Sequence, residues 1–190
     1  NIESFWPKEE RVLDIQFEYL AANTFPTGEK DRMIDSITKN LYSAAHVKYH
    51  PIIRNYLKTF GYYDIFLIDH DSGNIVYSVF KEVDFGTSLL DGPYKNTNFA
   101  KAFRAARMAT KKDFVLMTDF EPYFPSYNAP AAFIASPIFQ GEKKIGVLIF
   151  QMPIVEINRV MTGDNNWERE GLGQSGETYL IGLDHKMRNN

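Results

Sequence analysis

Tyr62–Phe80, YYDIFLIDHDSGNIVYSVF, decides the fold. Over Tyr62–Asp69 the side chains alternate without turning polar on either side: Phe66 and Ile68 point one way, Ile65 and Leu67 the other. A strand apolar on both faces sits centrally in a sheet whose faces are both covered. His70-Asp71-Ser72-Gly73-Asn74 supplies turn chemistry, because Asp and Asn bond nearby backbone and Gly tolerates positive φ. The return strand, Ile75–Phe80, sets Tyr77 and Ser78 on opposite faces. The stretch is therefore a β-hairpin.

Composition bounds what surrounds it. With 190 residues, 44% hydrophobic and 15% aromatic, the chain fills one domain burying about 70% of its unfolded surface. The net charge of −3 is scattered, leaving no basic stripe for a phosphate backbone, which argues against nucleic acid. Cysteine is absent, which excludes disulfides and thiolate metal sites. No apolar run reaches about 18 residues, so no stretch of this sequence reads as a membrane span. The chain opens mid-pattern at Asn1-Ile2-Glu3 and stops at Arg188-Asn189-Asn190 just after an apolar strand, as expected of a piece of a larger protein.

In order, Pro7 with Lys8-Glu9-Glu10 opens a helix carrying Val12, Leu13, Phe17 and Leu20 on one stripe. A second helix is expected from near Glu29 to His50. Pro51 marks a boundary, and a short helix over Ile52–Leu57 ends at Gly61. After the hairpin, Lys81–Pro93 is irregular, and Asn96-Thr97-Asn98 caps a helix over Phe99–Met108. Phe114–Phe120 is a third strand, and Glu121–Pro130 a stiff proline-rich loop. Ala131–Phe139 and Lys144–Gln151 form a second hairpin, where Gly146 allows close packing. Ile154–Met161 is an exit helix, Gly163–Gly176 a linker, and Glu177–Leu183 a sixth strand. This order predicts an α+β domain: a five-stranded antiparallel sheet, long N-terminal helices on one face and the long connection on the other. The parts are a helical segment (1–60), a core (61–162) and a linker with the start of a possible second module (163–190).

The ordered set YYDIFLID, IVYSVFKEVDFGTSL with GPY, DFEPYFPSYNAPAAFIASPIF, IGVLIFQMPI and GLGQSGETYLIG resembles the Cache (PAS-like) extracytoplasmic sensor domain of bacterial methyl-accepting chemotaxis proteins. The resemblance runs from about His46 to the end of the chain. It implies a periplasmic domain of an inner-membrane protein, anchored by flanking membrane helices and dimeric through its N-terminal helix. It also implies that GETYLIG opens a second, membrane-proximal module. In that family the ligand lies between the sheet and the connection after the second strand. The residues agree: Asp119, Tyr123, Tyr127 and Ser136 lie near the third strand, the loop after it and the fourth strand, while Tyr77 and Tyr94 border the connection. Aromatic walls with a few polar groups suit a small molecule, here an organic acid, an amine or similar. The bland reading is that these tyrosines are core-edge residues with one wet end and that Asp119 starts a turn. Amino-acid-binding members carry an Arg-x-Trp-Tyr cluster, and this chain has none.

Other constellations read as structural. His46 and His50 share a helix face, but no third metal ligand accompanies them; they are expected to be packing histidines. Gly171–Gly176 matches GxGxxG yet leads into a strand, where the dinucleotide fingerprint needs a helix. Asp69, Asp71 and Asn74 belong to a turn rather than a calcium loop. With no Cys nucleophile, G-x-S-x-G elbow or GK[ST] loop, no enzyme, cofactor or metal is expected. Three functions stay open: the ligand sensor of a chemotaxis receptor, the same sensor on a histidine kinase or nucleotide cyclase, and a non-binding dimerisation module.

Overall fold

A computed structural model describes residues 10–164, 166–176 and 178–188. Helix α1, Glu10–Gln16, widens into a π turn over Phe17–Ala21; its expected start at Pro7 lies outside the described residues. The second helix departs from expectation. Between Glu29 and Asn40 only Lys30–Arg32 form a 3-10 turn, and α2 runs unbroken over Leu41–Phe60. A capping box sets its start: Ser43 N donates to Asn40 Oδ1, and Asn40 N to Ser43 Oγ, satisfying two orphan donors at once. Pro51 removes one helical N–H. The buried face of Ser43, His46, His50 and Leu57 holds the helix through it. Gly61, at φ 71, ends it as expected.

Strands β1 (Asp64–Asp69), β2 (Ile75–Ser78), β3 (Leu116–Met117), β4 (Glu121–Tyr123), β5 (Ala129–Gln140) and β6 (Lys143–Pro153) form one antiparallel sheet. Its order is β2-β1-β6-β5-β3, with β4 also paired to β5, which makes five lanes whose outermost is split. The expected third strand, Phe114–Phe120, is thus shortened, and the expected loop supplies β4 plus a 3-10 turn at Phe124–Ser126. The split has a physical reason. The Asp119 carbonyl turns away to accept from Asn98 Nδ2, so the ladder is interrupted there. β1 lies between two strands, as its double-sided apolar pattern requires.

Helix α3, Asn98–Met108, is capped by Thr97 and packs on one face of the sheet. There Phe66, Phe99, Phe103, Phe133, Val147 and Ile149 form the main core, with Phe99 stacked on Phe133 at 4.5 Å. Each such ring contributes about 1.5–3 kcal/mol by leaving water. The other face packs α2 through Leu57, Ile65, Tyr77 and Val79. One residue changes this assignment along β2. Leu67 pairs with Tyr77 but Ile68 with Ile75, so Val76 is a one-residue bulge, which re-aims the side chains beyond it. Helix α4, Ile154–Met161, leaves the sheet as expected. The expected sixth strand is not formed. Ile181 makes only an isolated bridge to Met187, and Leu183 is fully exposed; no lane of the sheet receives this segment, and Glu177 lies outside the described residues. No described helix is long and apolar enough to cross a membrane.

Candidate functional site

The chain leaving β2 reads Lys81-Glu82-Val83-Asp84, and three of these four residues carry charge, yet all three are buried. Lys81 takes the left-handed conformation at φ 54, a strained one for a side-chain-bearing residue. Its Nζ donates to the Ser78 and Val79 carbonyls at 3.3 and 3.1 Å and faces the Tyr77 and Tyr19 rings at 5.6 and 5.9 Å. Burial pulls its pKa down to about 7, because a desolvated ammonium is disfavoured.

Glu82 faces other neighbours. Its Oε1 accepts from Tyr63 OH at 2.8 Å and its Oε2 from Ser126 Oγ at 3.1 Å. Ser126 Oγ in turn accepts from Gln151 Nε2 at 2.9 Å. Burial pushes the Glu82 carboxyl up to about 8, although the Tyr63 bond pulls the other way. Asp84, fully buried, accepts from Tyr123 OH at 2.6 Å, and burial raises it to about 6. Asp64 begins β1 opposite Gln151. It receives Ser78 Oγ at 2.6 Å, Ile65 N at 2.7 Å and Val79 N at 2.8 Å. Those bonds favour the anion, yet burial dominates and raises its pKa to about 7.

These groups occupy the layer between the sheet and the connection. Asp84 Oδ1, Asn98 Oδ1 and Gln151 Oε1 are buried there without a hydrogen-bond partner. An unmet buried acceptor costs about 1–3 kcal/mol, so these three oxygens are positions where ordered water or a ligand donor would be received. A shallow pocket of about 360 Å³, lined by Thr27, Glu82, Val83, Phe124, Pro125, Tyr127 and Asn128, opens onto Glu82 from solvent. A larger groove of about 770 Å³ lies between α1, the start of α2 and the hairpin turn. Its Asp69 carboxylate is already occupied by Ser72 and Asp71 of the turn, which makes it the weaker candidate.

Of the six residues expected at the site, the structure brings Tyr94 and Tyr123 together, their rings 6.0 Å apart beside Asp84. Tyr127 stands at the mouth, mostly exposed. The other three are placed elsewhere. The Val76 bulge turns Tyr77 to the α2 face, where its OH donates to His50 Nδ1 at 2.7 Å. Ser136 pairs with Leu148 and shares that face. Asp119 is half-exposed and binds Arg188 at 2.6 Å. The histidines pack as expected. His50 Nε2 donates to the Asp31 carbonyl and His46 Nδ1 to that of Ile34, and burial lowers them to about 4 and 3 respectively, leaving both neutral. Among the described residues no group of three or more potential ligands could hold a metal. Sequence reasoning missed Asp64, Lys81, Glu82, Asp84 and Gln151. The available signal was a polar residue lodged in, or directly after, an otherwise apolar strand, since such a residue is buried only with partners.

No family model matches this chain, and no curated protein matches it. Solved structures do. The ligand-binding domain of Campylobacter jejuni chemoreceptor Tlp3 in complex with 4-methylisoleucine superposes with a TM-score of 0.51 at 15% identity, covering 73% of this chain and 48% of that one. The ligand-binding domain of Pseudomonas fluorescens chemoreceptor CtaA in complex with L-serine gives 0.50 at 14%, covering 95% and 62%. The Tlp3 sensory domain solved separately gives 0.51 at 15%, covering 93% and 62%. The chain thus has the α+β fold of chemoreceptor ligand-binding domains and spans about half to three-fifths of their length.

Proposed function

We propose that this chain is the ligand-sensing part of a chemoreceptor and binds a small organic molecule between the sheet and the connection 79–97. The observation that carries this is the set of three partnerless buried acceptors, Asp84 Oδ1, Asn98 Oδ1 and Gln151 Oε1, on the connection face. A folded layer supports that many unmet acceptors where a ligand or ordered water meets them. The fold shared with amino-acid-bound Tlp3 and CtaA supports the same reading. The site comprises Tyr63, Asp64, Glu82, Asp84, Tyr94, Tyr123 and Gln151, with Tyr127 at its mouth. The domain is extracytoplasmic and membrane-anchored in the whole protein, acts as a receptor rather than an enzyme, and divides at about residues 60 and 162. Two copies associate through an exposed apolar stripe on α2. The same sensor on a histidine kinase or nucleotide cyclase is distinguished by the output region of the full-length gene.

A thermal-shift screen of organic acids, amines and amino acids tests the binding. A ligand at 100 times its Kd adds about 2.7 kcal/mol of stability, and Asp84→Asn is expected to abolish most of the shift in Tm. Equal shifts in wild type and variant would remove Asp84 from the site. No shift with any compound would favour a non-binding module.

A further inference from the structure

The layer beneath the connection carries three buried acids against one buried cation, Lys81, which Asp64 stabilises through space. Asp64, Glu82 and Asp84 are all buried, and no described ion pair involves any of them. Their partners are neutral donors: the Tyr63, Ser78, Ser126 and Tyr123 hydroxyls and the backbone N–H groups that meet Asp64. Lys81 is the one buried cation nearby, and its ammonium goes to two backbone carbonyls and two tyrosine rings instead. The buried atoms Asp84 Oδ1, Asn98 Oδ1 and Gln151 Oε1, which have no hydrogen-bond partner, are all oxygens that accept. Gln151 is 2% exposed and tied through Ser126 to Glu82, and Asn98 is 1% exposed. Apart from the proton that burial leaves on Glu82, the site lacks donors and positive charge, and a cation that takes the place of that proton supplies both.

We infer that the ligand is an organic ammonium ion carrying no carboxylate, its N–H groups received by Glu82, Asp84 and the partnerless buried oxygens. This rests on the sensor reading above and narrows it. The mouth fits the same chemistry. Glu82 is its only charged lining residue, and the mostly exposed Phe124 and Tyr127 rings stand beside it. A cation over such faces is attracted by the negative face of the ring, more strongly when desolvated. An anionic ligand finds no arginine or lysine in that lining. Burying it among three acids would leave its charge unpaired, which is costly. An amino acid meets the same difficulty at its carboxylate.

The test is isothermal titration of the 190-residue chain with putrescine and ethanolamine, against butane-1,4-diol, succinate, L-serine and L-leucine. At least one amine is expected to bind at least tenfold more tightly than butane-1,4-diol. Glu82→Gln and Asp84→Asn should each weaken it at least tenfold, and Tyr127→Ala, which leaves the buried network untouched, several-fold. Tyr77→Phe, on the opposite face, should leave the Kd unchanged. Binding of succinate or an amino acid without any amine would overturn the inference and leave the sensor reading standing. Silence from every class would overturn both.

Discussion

At Glu82, burial reverses what a glutamate ordinarily does. Its pKa rises from 4.5 to about 8, mainly through desolvation, with Asp84 and Asp64 adding repulsion and the Tyr63 and Ser126 bonds opposing it. The folded chain therefore holds a proton that the unfolded chain releases. That contribution to stability is fully present below about pH 4.5 and is lost as pH rises through about 8. Glu82→Gln removes the titration, so between pH 5 and pH 9 the wild-type Tm is expected to fall relative to the variant's. Melting curves showing a constant gap across that range would mean that Glu82 is already ionised in the fold. The charged run 81–84 was visible in the sequence, but its burial was not, because Ser126, which closes over Glu82, lies 44 residues further on. Tyr77 and Ser136 show the complementary limit: a period-two pattern assigns faces only up to a slip of one, and the bulge at Val76 is such a slip.

The elements were more legible than the residues they aim. The hairpin, α3, α4 and the β5–β6 pair follow from alternation and capping within a few neighbours, and each formed close to its expected bounds. Helix α2 did not, since Pro51 is a strong local breaker that tertiary packing overrides, and the Asn40–Ser43 box that starts the helix is a subtler signal. Gly146, in the pattern of β6, reads as permitting close packing. In the structure a Cβ there would lie 2.8 Å from the Ile68 carbonyl oxygen, across the pairing between β1 and β6 that joins the two halves of the sheet. Gly146→Ala must therefore move backbone. A loss of about 1–3 kcal/mol, in the range of overpacked cores, is expected in urea unfolding. A variant as stable as wild type would show that the sheet yields there at no cost.

On the scale of the molecule, α2 presents a second, outward stripe: Leu41, Ala45, Tyr49, Ile52, Tyr56 and Phe60 are all exposed. A contiguous apolar face of this length is uncommon on a monomer, and the proposed pairing of two copies rests on it. Sedimentation velocity is expected to show a concentration-dependent dimer that Ile52→Asp shifts to monomer. Wild type sedimenting as monomer at high concentration would oppose the assignment. The fold class could be read from the chain because five strands and three helices are locally encoded. The site's polar groups could not, because they converge from β1, the connection, the 3-10 turn and β6.

In the proposed arrangement the ligand sits under the connection, on the face of the sheet away from α2. Amide hydrogen exchange with and without saturating amounts of the tightest-binding compound tests this location directly. Added protection is expected within residues 79–97 and 121–128. Protection confined to α2, or to the groove between α1 and the hairpin turn, would contradict it.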